Sequence, residues 1–271
     1  MNEHAALYDQ ADDEAQPATV ALFVSDIHLS PALLVTTQAF LDFLQNHASR
    51  AQRLYLLGDI FEYWAGDDDA SDPYHRRIIA ALRAVSEGGT QLFWMGGNRD
   101  FLVGQGFADA AGLTLLPDPS VMEIANRRMV LTHGDAACTD DSAYMAFREQ
   151  VRDQRWQQQF LSQPLDKRKQ IVEAMRMGSK EAQRGKSMDI MDVNTDAIAG
   201  LFASSGAGVM IHGHTHRPDL HDLEVEGRAC LRYVLPDWDC EAEVEPERGG
   251  WLALSADGEL QRFNARGECL D

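Results

Sequence analysis

Five short apolar runs each end in a polar, mostly glycine-bearing loop carrying Asp, Asn or His, and no other feature of the chain limits its fold as much. The runs are residues 20–24 before Ser25-Asp26-Ile27-His28, 53–57 before Gly58-Asp59, 91–95 before Gly96-Gly97-Asn98-Arg99-Asp100, 128–132 before His133-Gly134-Asp135, and 209–211 before His212-Gly213-His214-Thr215-His216. Their length and β-type composition predict strands. Helical text separates them: Ser30-Pro31 reads as the N-cap and N1 pair of one helix, and residues 73–87 as another. Strands alternating with helices imply a sheet with crossover connections. Loops at the carboxyl ends of such strands converge while the strands hold them rigid, so the polar ends are expected to form one site.

Between the fourth and fifth runs, about residues 140–194, helical periodicity appears at Tyr144, Phe147 and Val151, at Trp156 and Phe160, and at Ile171, Met175 and Met177. This stretch reads as a helical insertion over the site. After His216 come short β-type pieces at 229–235 and 251–255, with turn signals at Glu226-Gly227 and Asp257-Gly258, expected to form a second mixed sheet against the first. Residues 1–18, with Asp12-Asp13-Glu14 and no apolar period, read as a disordered acidic tail, leaving 19–271 as the folded domain.

The formal net charge of −19 argues against nucleic acid as a partner, because phosphate backbones are held mainly by Lys and Arg. Charge is uneven, however. Residues 148–186 hold ten Lys or Arg against five Asp or Glu, a local balance of +5. That excess suits either a solvated helix face or an anionic lipid surface. Cys138, Cys230, Cys240 and Cys269 show no C-x-x-C spacing and no secretory pattern precedes them, which fits reduced thiols in a cytosol. No apolar run approaches the roughly 20 residues that span a bilayer, so any membrane association is expected to be peripheral.

Asp26 and His28, two apart, would project to one face of an extended strand end, where a carboxylate and an imidazole can bind one cation. Asp59 has two oxygens and can bridge two cations about 3.5–4 Å apart. Asn98 and His133 add neutral oxygen and nitrogen donors, and His214 with His216 supplies a last pair. Any one such residue at a strand end is more often a cap or a surface group. The ordered set D-x-H, G-D, G-N, H-G-D and G-H-x-H is hard to obtain from packing alone and points to a binuclear metal site.

That set resembles the signature of the calcineurin-like metallophosphoesterase superfamily, over roughly residues 20–219. The resemblance implies an α/β fold: a four-layer αββα sandwich of two mixed β-sheets flanked by helices, with the insertion as a helical lid. It also implies Asp26, His28, Asp59 and His216 around one metal, and Asp59, Asn98, His133 and His214 around the other. Oxygen and nitrogen donors without thiolate suit Mn²⁺, with zinc and iron as alternatives. Catalytic roles fall to Asp59, Asn98, His133 and Arg99. In much of the superfamily histidine follows the asparagine; here Arg99 replaces a proton donor with a fixed cation suited to phosphoryl charge. Asp100 would either orient Arg99 or cap the turn.

Longer stretches, residues 58–69 (GDIFEYWAGDDD), 97–102 (GNRDFL), 133–141 (HGDAACTDD), 179–182 (SKEA) and 190–194 (IMDVN), resemble the UDP-2,3-diacylglucosamine hydrolases of lipid A biosynthesis. This implies that metal-activated water attacks the α-phosphorus of UDP-2,3-diacylglucosamine and releases UMP and 2,3-diacylglucosamine 1-phosphate. Two divalent ions, Mn²⁺ foremost, are the implied cofactors. Substrate contacts are implied at Asn98, Arg99, Asp141, Ser179, Gln183, Lys186 and His214, with Gln183 standing where the shorter Asn is usual. Tyr144, Phe147, Trp156, Phe160, Met175 and Met177 would line an acyl groove or simply pack the insertion's own helices. A cytoplasmic monomer, held peripherally at the cytoplasmic face of the inner membrane of a Gram-negative bacterium, completes this reading. Trp64 would wall the site or pack the core, and His75, His212 and His221 read as structural. The rival readings are a metallophosphoesterase for nucleotides or phosphoproteins, and a catalytically silent scaffold, which missing ligands would mark; here every expected donor is present.

Overall fold

In strand β1 (Thr19–Val24), Ala21 to Val24 are all buried because both faces of the strand meet apolar layers. Leu22 and Val24 join a helix-side core, and Ala21 and Phe23 a core between two sheets. Strands β2 (Arg53–Leu57) and β3 (Gln91–Met95) divide likewise, with Leu54, Leu56, Leu92 and Trp94 on the helix side and Tyr55, Leu57 and Met95 on the other. Burial on both faces is what parallel strands between two layers require.

The computed structural model describes residues 19–183, 192–241 and 247–270, and the side chains of all of these except 179–183. The expected acidic tail, Lys186 and the side chains of Ser179 and Gln183 lie outside what is described. With β4 (Leu113–Leu116), β10 (Gly250–Ser255) and β11 (Leu260–Asn264), the first sheet runs β11-β10-β1-β2-β3-β4. The second joins β5 (Ser120–Ile124), β6 (Arg127–Leu131), β7 (Val209–His212), β8 (Asp219–Val225) and β9 (Arg228–Val234) in the order β5-β6-β7-β9-β8. Both sheets are mixed.

Helices α1 (Leu34–Asn46), α2 (Pro73–Glu87) and α3 (Gln105–Ala111) cover the outer face of the first sheet. Helices α4 (Ser142–Arg152), α5 (Gln154–Leu161) and α6 (Leu165–Gln183) follow β6, and α7 (Thr195–Ser205) packs Ile198 and Phe202 on the outer face of the second sheet. The order is helix, sheet, sheet, helix, the expected sandwich.

Three expectations need correction. The five donor-bearing strands do not share one sheet: β1, β2 and β3 lie in the first, β6 and β7 in the second. Residues 251–255 do not extend the second sheet either; as β10 they pair antiparallel with β1. The cause is a strand apolar on both faces: Trp251 enters the helix-side core and Leu252 and Leu254 the inter-sheet core. Helix α1 begins at Leu34 rather than at Pro31, and Ser30 instead closes a turn, its carbonyl accepting from Leu33 N at 3.1 Å. The orphan N–H groups of Val35 and Thr36 are satisfied by Glu241, so a distant carboxylate replaces the local cap.

Candidate metal centre

Strand β1 stops at Val24, and Asp26 and His28 take left-handed backbone with φ of 52° and 54°. Alternation along an extended strand is therefore not what aims them. Asp59, His214 and His216 are left-handed too, at 53°, 69° and 54°. Asp and His tolerate this region better than most residues, at a cost of order 1–3 kcal/mol each, and the surroundings must impose it. For Asp26, His28 and Asp59 a short ladder does so: Asp26 N donates to Gly58 O at 3.0 Å, His28 N to Asp59 O at 3.0 Å and Leu29 N to Ile60 O at 2.8 Å, while His214 N donates to Asp26 Oδ2 at 2.9 Å. Asp100 is buried beneath and accepts from the N–H groups of Gly97, Asp59, Ile60 and Phe61 at 2.8, 3.2, 2.8 and 3.3 Å. It ties two donor loops together rather than orienting Arg99, and burial plus the charge of Asp59 push its carboxyl up to about 6. Gly97 and Gly213 lack a Cβ for a packing reason: one would collide with Asp59 and with Asp26 respectively.

The seven expected donors converge in two adjoining groups. In the first, His28 Nε2 lies 3.3 Å from His216 Nε2, which lies 3.3 Å from Asp26 Oδ1. In the second, Asn98 Oδ1 lies 3.0 Å from His133 Nε2 and 2.9 Å from His214 Nδ1, and His133 Nε2 is 3.7 Å from Asp59 Oδ1. Ligand atoms of Asp26, His28 and His216 fall within 4.8 Å of one another, and so do those of Asp26, Asp59 and His133. Asp26 belongs to both of these clusters, whereas Asp59, the carboxylate that the resemblance gives to both ions, belongs only to the second.

This arrangement fits a pair of divalent cations. Asp26 Oδ1 is buried and makes no hydrogen bond of good geometry among the described residues, His216 Nε2 standing 3.3 Å away, and imidazole nitrogens face each other across the centre. His133 Nδ1 lies 2.9 Å from Leu57 O, which places the proton on Nδ1 and aims the Nε2 lone pair inward. Burial would lower His133, yet the charges of Asp59, Asp26 and Asp135 raise it to about 9. A proton is drawn to the place a cation would take. His214 goes the other way, held down at about 4 by burial and the charge of His133.

Beyond the donors lie polar groups that no sequence motif singles out by role. Glu62 Oε2 stands 3.3 Å from His28 Nδ1, and Oε1 stands 3.3 Å from Arg99 Nη1. Burial alone would raise Glu62, but hydrogen bonding to His28 and the charges of Arg99, His28 and Arg176 outweigh it and hold the carboxyl at about 2. Asp237 Oδ2 lies 3.6 Å from His216 Nδ1. Asp135, already visible in the H-G-D motif, accepts from Tyr144 Oη at 2.7 Å and Arg148 Nε at 2.8 Å. Trp64 packs the core against Phe61 and Phe107, and His212 and His75 are buried as structural residues.

Part of the basic excess pairs within the protein. Of the seven Lys and Arg in residues 148–186 whose side chains are described, five hold the sandwich: Arg148 on Asp135, Arg152 on Gly96 O and Gly97 O at 3.1 and 3.0 Å, Arg168 on Ala65 O and Asp68, Lys169 on Asp69 at 2.6 Å, and Arg176 on Glu62. Phe160 is buried, with Trp156 stacked on it at 5.1 Å, so these two pack the helix-side core instead of lining a groove. Phe147 and Met177 are exposed, and the Tyr144 ring lies 5.8 Å from that of His214. Asp141 caps α4, accepting from Tyr144 N at 3.1 Å.

The family model for calcineurin-like phosphoesterases matches residues 20–218. The chain is 50% identical over 222 residues to a protein of Aromatoleum aromaticum named UDP-2,3-diacylglucosamine hydrolase, covering 82% of this chain and 90% of that one. A protein of the same name from Bordetella pertussis is 47% identical over 242 residues, 89% of this chain and 93% of that one. Another, from Escherichia coli O81, is 45% identical over 223 residues, 82% and 92% of the two chains.

Proposed function

The chain belongs to the calcineurin-like phosphoesterase family, among the UDP-2,3-diacylglucosamine hydrolases, and on that premise we propose that it cleaves the pyrophosphate of UDP-2,3-diacylglucosamine to UMP and 2,3-diacylglucosamine 1-phosphate in lipid A biosynthesis. The observation that supports this most is the meeting of seven oxygen and nitrogen donors, one of them the unsatisfied Asp26 Oδ1, at the ends of five strands from two sheets. Asp26, His28, Asp59 and His216 would hold one divalent cation and Asp59, Asn98, His133 and His214 the other. When bound, such a pair lowers the pKa of water and neutralises phosphoryl charge. Manganese suits the thiolate-free donor set.

The chain's own groups do the rest. Arg99, its guanidinium set against Glu62, supplies a fixed positive fork for charge developing on the phosphoryl oxygens. Asn98 turns its oxygen to His133 and His214, which leaves its amide nitrogen as a donor to the substrate. Asp141, Ser179, Gln183, Lys186 and His214 are assigned to the remaining substrate contacts, with α4 to α6 as the lid. A diacylated substrate draws the enzyme, as a monomer, to the cytoplasmic face of the inner membrane. That contact is proposed as a peripheral one; among the described residues no helix is long and apolar enough to cross a membrane.

The test is UMP release by metal-free protein titrated with Mn²⁺, using the diacylated substrate beside UDP-glucose. Metal-dependent turnover of the first with little of the second is the expected result. Equal turnover of both would point to a general phosphodiesterase, and no turnover with any divalent ion to a silent scaffold.

A further inference from the structure

Glu62 is a largely buried carboxylate at the centre to which the chemistry above gives no part except as a neighbour of Arg99. Its oxygens divide their work: Oε2 pairs with His28 Nδ1 at 3.3 Å, within ion-pair reach though short of hydrogen-bond geometry, while Oε1 takes both Arg99 Nη1 and Arg176 Nη2 of α6. Its main chain is fixed independently of these partners. Glu62 N donates to Leu29 O at 3.0 Å, directly after His28, and Asp100 holds the N–H groups of Ile60 and Phe61 from below. Arg176 also approaches the ring of Tyr63 at 5.9 Å, so α6 docks on the same short segment.

We propose that Glu62 is a positioning residue: it fixes the His28 ring and the Arg99 guanidinium in one relative orientation and ties both to the seating of α6 through Arg176. An imidazole that offers Nε2 to an ion needs an acceptor for its Nδ1 proton, or the ring turns and the other tautomer competes. Arg99 is a long side chain with many rotamers, and a carboxylate oxygen beside it selects one. Because Glu62 meets both through separate oxygens, His28 and Arg99 move together or not at all. The proposal rests on the two-ion pyrophosphatase reading.

The experiment combines Mn²⁺ binding to the metal-free full chain, by calorimetry and electron paramagnetic resonance, with kinetics at saturating Mn²⁺. Glu62→Gln is expected to weaken one of the two ions by about 10–100-fold and leave the other within about twofold. At saturating metal it should lower kcat by about tenfold with little change in KM. In a His28→Gln background, Glu62→Gln should have no further effect on ion affinity. Arg176→Ala, which removes the contacts of α6 with Glu62 and Tyr63 but leaves Glu62 facing His28 and Arg99, should raise KM and leave both ion affinities within about twofold. The proposal is overturned by wild-type ion binding in Glu62→Gln, by equal weakening of both ions, or by additivity with His28→Gln. It is also overturned if Arg176→Ala weakens ion binding as much as Glu62→Gln does. Two bound ions without any UMP release would sink the pyrophosphatase reading alone, whereas failure to bind Mn²⁺ at all would sink both.

Discussion

Phe23, Leu56 and Trp94 hold the sandwich by losing all contact with water, whereas α4 and α6 are fastened to it largely by Arg148, Arg152, Arg168, Lys169 and Arg176. A fully buried apolar side chain contributes about 1.5–3 kcal/mol, is indifferent to salt and acts without direction. A guanidinium on a carbonyl or carboxylate contributes a comparable 1.5–3 kcal/mol when buried and much less when half-exposed, but it fixes geometry. The proposed function follows that division: the sandwich supplies every candidate donor of the proposed ion centre, and the insertion contacts the loops that carry them. Arg152 grips the two carbonyls just before Asn98, and Arg148 with Tyr144 grips Asp135 just after His133.

The sharpest break is at a donor. His133→Ala should lower UMP release by on the order of 10³-fold or more, comparable to losing a principal electrostatic group, while circular dichroism of the metal-free protein stays native. Removing apolar support tests the other half: Trp94→Ala should cost about 3–5 kcal/mol in denaturant unfolding, felt by the whole molecule. Arg168→Ala should cost about 1–3 kcal/mol, and hydrogen exchange should place the loss in α5 and α6 with β1 to β3 still protected. If β1 to β3 opened equally, the two regions would be one cooperative unit and the contrast would fail. Arg152→Ala should lower kcat by about tenfold through misplacement of Asn98, without a change in global stability.

The smallest effect is a single proton. His133 stands at about 9 in the metal-free protein against 6.5 for a free imidazole. Its protonation therefore stabilises the folded chain fully below 6.5, and that contribution is lost as pH rises through about 9. A cation must displace the proton, so Mn²⁺ binding near pH 7.5 should release about one proton, measured by calorimetry in buffers of different ionisation enthalpy, and the release should fall to about half at pH 9 and disappear at higher pH.

The strands ending at Val24, Leu57, Met95 and Leu131 were legible because a run of β-type residues followed by a polar loop is a local signal. Helix α2 was legible for the same reason: Asp72 caps it and Pro73 opens it, side by side in sequence. Helix α1 misled because its cap, Glu241, lies 206 positions from Val35 and only the completed fold brings it there. Glu62 and Asp237 gave no signal, since an acidic residue a few positions from a donor is common and its partner is chosen in three dimensions. The basic excess of the insertion is visible in the sequence, but its partners Gly96 O, Gly97 O and Ala65 O are main-chain oxygens that no residue pattern encodes.

The left-handed backbone at Asp26, His28, Asp59, His214 and His216 bears on how this centre can be redesigned. Before any question of coordination chemistry, the main chain there admits Gly, Asn, Asp and His readily and rejects Val, Ile and Thr. A library aimed at a different metal preference therefore has a short alphabet at five of its seven positions. Asn98 and His133, where no such restriction applies, are the places to begin introducing a thiolate.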